Sequence, residues 1–211
     1  MSRIVAAESR TDLLSSGGTT SLLLQLDADE ADALSSLAAQ VESLLSESDT
    51  GSPALSRLFP VAYSEDASAA AEFARYTRPG LQQRKVDAAR TVREAVEAAS
   101  GLGPDDEQYT HNVEISPEGL LPWLTFLTDL RLVLADSIDV ADDGSIPDAA
   151  PAASGAKSAD PKSADPNRAD TAIADAAADE LAQLRQLQRG VYDWAAFLQD
   201  SLVAAVESEL P

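Results

Sequence analysis

Ser116-Pro-Glu-Gly-Leu-Leu-Pro-Trp-Leu-Thr-Phe-Leu-Thr-Asp-Leu-Arg-Leu-Val-Leu134 decides the fold of this chain. Serine followed by proline is a helix start: the hydroxyl accepts from a free backbone N–H, and the fixed φ of proline suits the first helical position. Leu120, Leu121, Trp123, Leu124, Leu127, Leu130, Leu134 and then Ile138 recur at helical spacing. Pro122 lies in the first turns, where a missing N–H is least harmful. So apolar a helix needs a partner. One is supplied by a second long helix near the C-terminus, marked by Leu181, Leu184, Leu187, Val191, Trp194, Leu198 and Leu202. These two form the expected central pair.

A different composition separates them. Lys157-Ser-Ala-Asp-Pro161 is repeated at once as Lys162-Ser-Ala-Asp-Pro166, within a stretch of Ala, Asp, Ser and Pro. Such a segment buries too little apolar surface to offset the entropy of ordering it, so 140–171 is read as a disordered low-complexity insertion. A long loop between two helices adds little closure entropy, because the penalty grows only logarithmically with length. The chain of 211 residues is therefore read as one domain, 1–211, interrupted by that spacer.

Upstream, Ile4-Val5-Ala6 and Thr20-Ser-Leu-Leu-Leu-Gln-Leu26 are expected strands around a polar loop with Gly17-Gly18, and Leu22, Leu24 and Leu26 share one face. His111-Asn-Val-Glu-Ile115 alternates in the same way and can add a third strand. Asp27-Ala-Asp-Glu30 has capping-box form and opens a helix through Leu34, Leu37, Val41, Leu44 and Leu45. Ser52-Pro53 opens a short helix that Pro60 limits. Two further helices are expected, one over 66–76 and one, after Gly80, from Leu81 to Ala99. The expected fold class is mainly α (α+β): a compact helical domain with a small N-terminal antiparallel hairpin or three-stranded sheet and a long C-terminal helix.

Chemistry is sparsely equipped. There is no cysteine and one histidine, His111, so thiolate nucleophiles, disulfides and the common zinc sites lose their ligands. No phosphate-cradling, nucleophile-elbow or zincin spacing occurs, and the chain is expected to be non-enzymatic, with no cofactor or metal. His111 follows Asp105, Asp106 and Glu107 but is read as structural. Trp123 and Trp194 lie on apolar helical faces and are read as packing residues. Arg131 is expected to pair with an acid, Asp129 or Asp193, between the two central helices.

Thirty-six acids against 15 bases give a formal charge of -21. That balance repels phosphate and anionic lipid, which weighs against direct nucleic-acid binding. No signal-like segment or long apolar run occurs, so a cytoplasmic protein without membrane association is expected. Six of the 15 bases nevertheless fall between positions 75 and 93: Arg75, Arg78, Arg84, Lys85, Arg90 and Arg93, opposed only by Asp87. This island is the candidate surface for an acidic protein partner. At 100° per residue Arg84, Lys85, Arg90 and Arg93 do not form one stripe, and Arg90 and Arg93 each precede a glutamate at i+4, Glu94 and Glu97.

Four blocks carry a resemblance: Pro53-Ala-Leu-Ser-Arg-Leu-Phe-Pro-Val-Ala-Tyr63, Ala71-Glu-Phe-Ala-Arg75, Leu127-Thr-Asp-Leu-Arg-Leu-Val-Leu134 and Val191-Tyr-Asp-Trp-Ala-Ala-Phe-Leu-Gln-Asp-Ser-Leu-Val203. In order and spacing they resemble the actinobacterial family catalogued as domain of unknown function 2017, over nearly the whole chain apart from the spacer. The resemblance implies an oxidative-stress transcriptional regulator that binds an alternative sigma factor or RNA polymerase. The alternative is an adaptor or structural interaction protein linked to protein turnover. Redox sensing in that family rests on a cysteine pair; this chain has no cysteine, so direct thiol sensing is excluded.

Overall fold

The computed structural model describes residues 3–7, 21–47, 53–99, 111–138 and 168–209, with side chains described for 21–47, 53–99, 111–138 and 179–208. Strands β1 (Arg3–Ala7) and β2 (Ser21–Leu26) are followed by α1 (Ala28–Ser46), α2 (Pro53–Leu58) and α3 (Ala67–Ala99). Then come β3 (His111–Ile115), α4 (Pro117–Ser137) and α5 (Arg168–Glu209). The fold is mainly α, with a small antiparallel sheet in the order β1-β2-β3 and a long C-terminal helix.

The helix starts read from sequence are formed in atomic detail. Glu30 N–H donates to Asp27 Oδ1 at 2.9 Å, and Asp27 N–H donates to Glu30 Oε2 at 3.0 Å, closing the capping box of α1. Ser116 Oγ accepts from Gly119 N–H at 3.2 Å, with Pro117 at the first position of α4. β2 is the central strand: Leu24 lies opposite both Ile4 of β1 and Val113 of β3. Leu22, Leu24, Leu26, Val113 and Ile115 bury one face of the sheet.

Below that face α3 packs against α1 and α4, while α4 also receives α2 and α5. α4 and α5 run antiparallel: Thr128 and Arg131 contact Gln199, whereas Arg131, Ala135 and Ile138 reach back to Tyr192. The expected central pair is therefore present, with Trp123, Phe126, Leu127 and Leu130 of α4 and Ala195, Leu198 and Leu202 of α5 buried. Trp194 is partly buried against the same core.

Three expectations change. The two helices expected over 66–76 and 81–99 are one, α3, which runs through Pro79 and Gly80 for 33 residues. Asp66 caps it, with Oδ1 accepting from Ser68 and Ala69 N–H at 3.0 Å each. A proline removes one helical N–H, but the rod continues because its second half is anchored by Val86, Ala89, Val92 and Val96 in the core. Second, α5 is far longer than its leucines indicated. The expected insertion over 140–171 lies outside the described residues except for its last four positions, which open α5. The Gly17-Gly18 loop also lies outside them.

The third change concerns Arg131. Asp129 pairs instead with Lys85 of α3, and Arg131 donates to Gln199 Oε1 at 3.1 Å and to the Tyr192 hydroxyl at 3.3 Å. Its guanidinium carbon also sits 5.0 Å from the centroid of the Tyr192 ring. The carboxylate at 129 faces α3 and not α5, so the arginine two positions on meets neutral acceptors.

Candidate functional site

The basic island divides in two when folded. Arg90 Nε lies 2.9 Å from Glu42 Oε1 and Arg93 Nε 3.2 Å from Glu42 Oε2, so one carboxylate of α1 holds two arginines of α3. Arg90 also reaches Asp87 at 3.3 Å, and Arg93 reaches Glu97 at 3.1 Å, the i+4 partner named from sequence. Hydrogen bonds from Arg93 to Glu97 and to Glu42 hold its guanidinium above the ordinary arginine range. Lys85 bonds Asp129 in the interior between α3 and α4. Burial pushes the Asp129 carboxyl up, while the hydrogen bond and charge of Lys85 pull it back down. Lys85, Arg90 and Arg93 thus join elements of the fold.

Arg75, Arg78 and Arg84 belong to the other part. Each lies on or before the segment of α3 that projects past the core, where no residue from Ala67 to Arg84 is buried. Arg75 stacks 4.7 Å from the Tyr76 ring centroid and donates to its hydroxyl at 2.6 Å. Arg78 stacks 4.8 Å from the Phe59 centroid. Among the described residues Arg84 is exposed and makes no hydrogen bond or ion pair.

Exposed apolar side chains missed as site residues lie on the same stretch of chain. Val61, Tyr63, Phe73 and Tyr76 are 74%, 61%, 46% and 69% exposed, and the rings of Tyr63 and Phe73 meet edge to face at 5.8 Å. Their sequence signal was angular. On a helix of 100° per residue, Phe73 and Tyr76 fall on the side of α3 opposite Val86, Ala89, Val92 and Val96, away from the core stripe.

Local backbone rules are broken at the same surface. Tyr63 sits at φ 57, a left-handed conformation that disfavours a bulky side chain by about 1–3 kcal/mol. Pro79 and Gly80 stand inside a helix, where glycine is roughly 0.5–1 kcal/mol worse than alanine and proline worse still. No heavy atom lies within 4 Å of the position a Cβ on Gly80 would take, so packing inside the fold does not require the glycine. These departures from local preference lie beside the exposed side chains of Val61, Tyr63, Phe73 and Tyr76.

The remaining candidates are structural in their surroundings. Trp123 is buried in the core. His111 stands at the start of β3 opposite Leu26, and its Nδ1 is buried without a hydrogen-bond partner. Its sequence neighbours Asp105, Asp106 and Glu107 lie outside the described residues. Among the described residues no three His, Asp or Glu side chains are gathered to hold a metal ion. Nor is any helix there long and apolar enough to cross a membrane.

No curated protein and no solved structure matches the chain. The family described as Domain of unknown function (DUF2017) matches residues 11–206, which includes every helix that frames the exposed surface. Spanning almost the whole sequence, that match places the chain in the DUF2017 family.

Proposed function

We propose that this protein is a non-enzymatic regulator that works by binding another protein through the exposed aromatic–arginine surface of α2, α3 and their connection. The observation that carries the proposal is the coincidence, on a strongly acidic chain, of Val61, Tyr63, Phe73 and Tyr76 in solvent with Arg75, Arg78 and Arg84. Aromatic residues and arginine are the side chains most enriched where binding energy concentrates. A strained Tyr63 and a mid-helix glycine are accounted for by contacts made outside the chain.

Within that reading the partner belongs to the transcription machinery, an alternative sigma factor or RNA polymerase, in a cytoplasmic response to oxidative stress. Support comes from the family resemblance of the four sequence blocks. With no cysteine in the chain, oxidation enters the response through the partner or upstream of it. Recognition of DNA is left to the partner, because the described surface offers a short cationic cluster on a chain of charge -21.

The test is affinity capture of tagged protein from its native lysate, with and without peroxide, comparing wild type with an Arg75→Glu/Arg78→Glu variant. A sigma factor or polymerase subunit captured by wild type and lost from a variant of unchanged melting temperature supports the proposal. Equal capture by both proteins places the interface elsewhere. Recovery of proteolytic machinery without polymerase makes the protein a turnover adaptor.

A further inference from the structure

We propose that residues 61–78 form a flap that swings as a unit on two junctions, one at Pro60 and one from Thr77 to Gly80, and that Arg78 latches it to Phe59. The flap carries Tyr63, Phe73 and Tyr76, yet the device belongs to the free protein and does not depend on which partner those side chains meet.

Three neighbouring residues weaken α3 at one level. Pro79 has no N–H to give the carbonyl of Arg75, and its ring crowds that oxygen. Gly80 follows, with the widest backbone freedom of any residue type, and nothing lies within 4 Å of where its Cβ would stand. Just before them Thr77 Oγ1 donates to the Phe73 carbonyl at 2.8 Å, a side-chain bond inside the helical ladder that favours bending. Sharp kinks arise at proline and where a side chain enters the ladder. Both features, with a glycine beside them, fall between positions 77 and 80.

On either side of that level the helix is held differently. Beyond it, Gln82 Nε2 donates to the Leu45 carbonyl, Lys85 bonds Asp129, and Val86 is the first buried residue of α3. Before it, the arm is rich in the best helix former, with Ala67, Ala69, Ala70, Ala71 and Ala74, and Asp66 caps its start. The arm therefore keeps its helix and bends at its end. The ring contact of Tyr63 with Phe73 ties the 61–66 connection to the arm, so the two move together.

The two junctions are neighbours in space. Arg78, the last residue before Pro79, stacks 4.8 Å from the ring centroid of Phe59, the last residue before Pro60. Phe59 packs against the core and Leu58 is buried, so that end is fixed as well. A segment that leaves and rejoins the body at neighbouring points turns about the line between them without stretching the chain. In this structure the latch is closed and α3 is a continuous rod.

The chain has no cysteine, so Ser68→Cys/Glu94→Cys places spin labels at two exposed positions of α3 and nowhere else. On a straight helix they stand about 39 Å apart, and a bend of about 60° at Pro79 shortens the separation by about 5 Å. Pulsed double electron resonance on the full chain should show both populations. Pro79→Ala/Gly80→Ala in the labelled protein should remove the shorter one, and Arg78→Gln should at least double it. The 13Cα shifts of residues 67–76 should remain helical throughout.

A single narrow distance in the parent protein, or a shorter population that survives Pro79→Ala/Gly80→Ala, overturns the hinge. Loss of helical shifts over 67–76 means that the arm melts, which overturns the swinging unit. An unchanged distribution in Arg78→Gln overturns the latch.

Discussion

Replacing Lys85 with methionine leaves the carboxylate of Asp129 alone between α3 and α4. Lys85 is the cation bonded to Oδ1, and Oδ2 is already buried without a partner. The aspartate side chain is 3% exposed and that of the lysine 13%, so water replaces little of the lost interaction. Removing one member of a buried pair costs about 3–5 kcal/mol, and we take the lower end because the lysine is not fully enclosed. For a chain of this size about 3 kcal/mol corresponds to a fall of roughly 6–12 °C in melting temperature. Asp129 is pushed above its ordinary value by burial and pulled down only by Lys85, so the variant keeps the upward cause alone.

A carboxyl raised in the folded state binds its proton there before it does in the unfolded chain. Its contribution to stability is greatest below the unfolded value and is lost as pH rises through the folded one. The deficit of Lys85→Met relative to wild type should therefore shrink as pH falls from 7 to 5. Lys85→Met/Asp129→Leu, which replaces the pair by apolar groups, should return to within about 1 kcal/mol of wild type at pH 7. Urea unfolding followed by far-UV circular dichroism reads all three. A deficit below 1 kcal/mol at pH 7, or one of the same size at both pH values, would refute the account of an interior ion pair.

Other perturbations follow from the same packing. Trp123→Ala should lose about 3–5 kcal/mol by cavity formation, and a melting curve like that of wild type would remove the residue from the core. Pro79→Ala should raise the melting temperature, because it restores an N–H inside a continuous helix; a lower value would mean that α3 is broken there. Arg131→Met should destabilise by about 1–3 kcal/mol, through the bonds to Gln199 and Tyr192, and a neutral effect in urea would show those contacts to be idle. If 140–171 is the insertion read from the sequence, deleting one pentapeptide, Lys162 to Pro166, should change stability by less than about 0.5 kcal/mol by calorimetry, since loop closure varies slowly with length; a larger loss would refute that reading.

Periodicity and caps made most of the fold legible. Asp27, Ser116 and the alternating leucines of β2 each declare their element within a few residues, because a cap or a buried face is a local pattern. Pro79-Gly80 misled for the complementary reason. Both residues disfavour helix locally, and what carries α3 across them is the anchorage of valines several turns away. Arg131 shows the limit for side chains: the pattern placed an acid and a base on one helix, but which neighbour each would meet depends on how α3 packs against α4. The candidate surface was half visible. The arginines stood out by charge, whereas Tyr63, Phe73 and Tyr76 count as apolar residues until a helix is seen to run past the core.

The order of strands in the sheet bears on how the chain is made. β2 pairs with β1 across a short sequence interval, but its other edge is filled by β3, with Leu24 opposite Val113. During synthesis α1, α2 and α3 must leave the ribosome before that edge is covered. Until then Leu22, Leu24 and Leu26 form an uncompleted template open to pairing with another chain. At about 5–20 residues per second that interval lasts several seconds, during which the open edge is accessible to other chains and to chaperones.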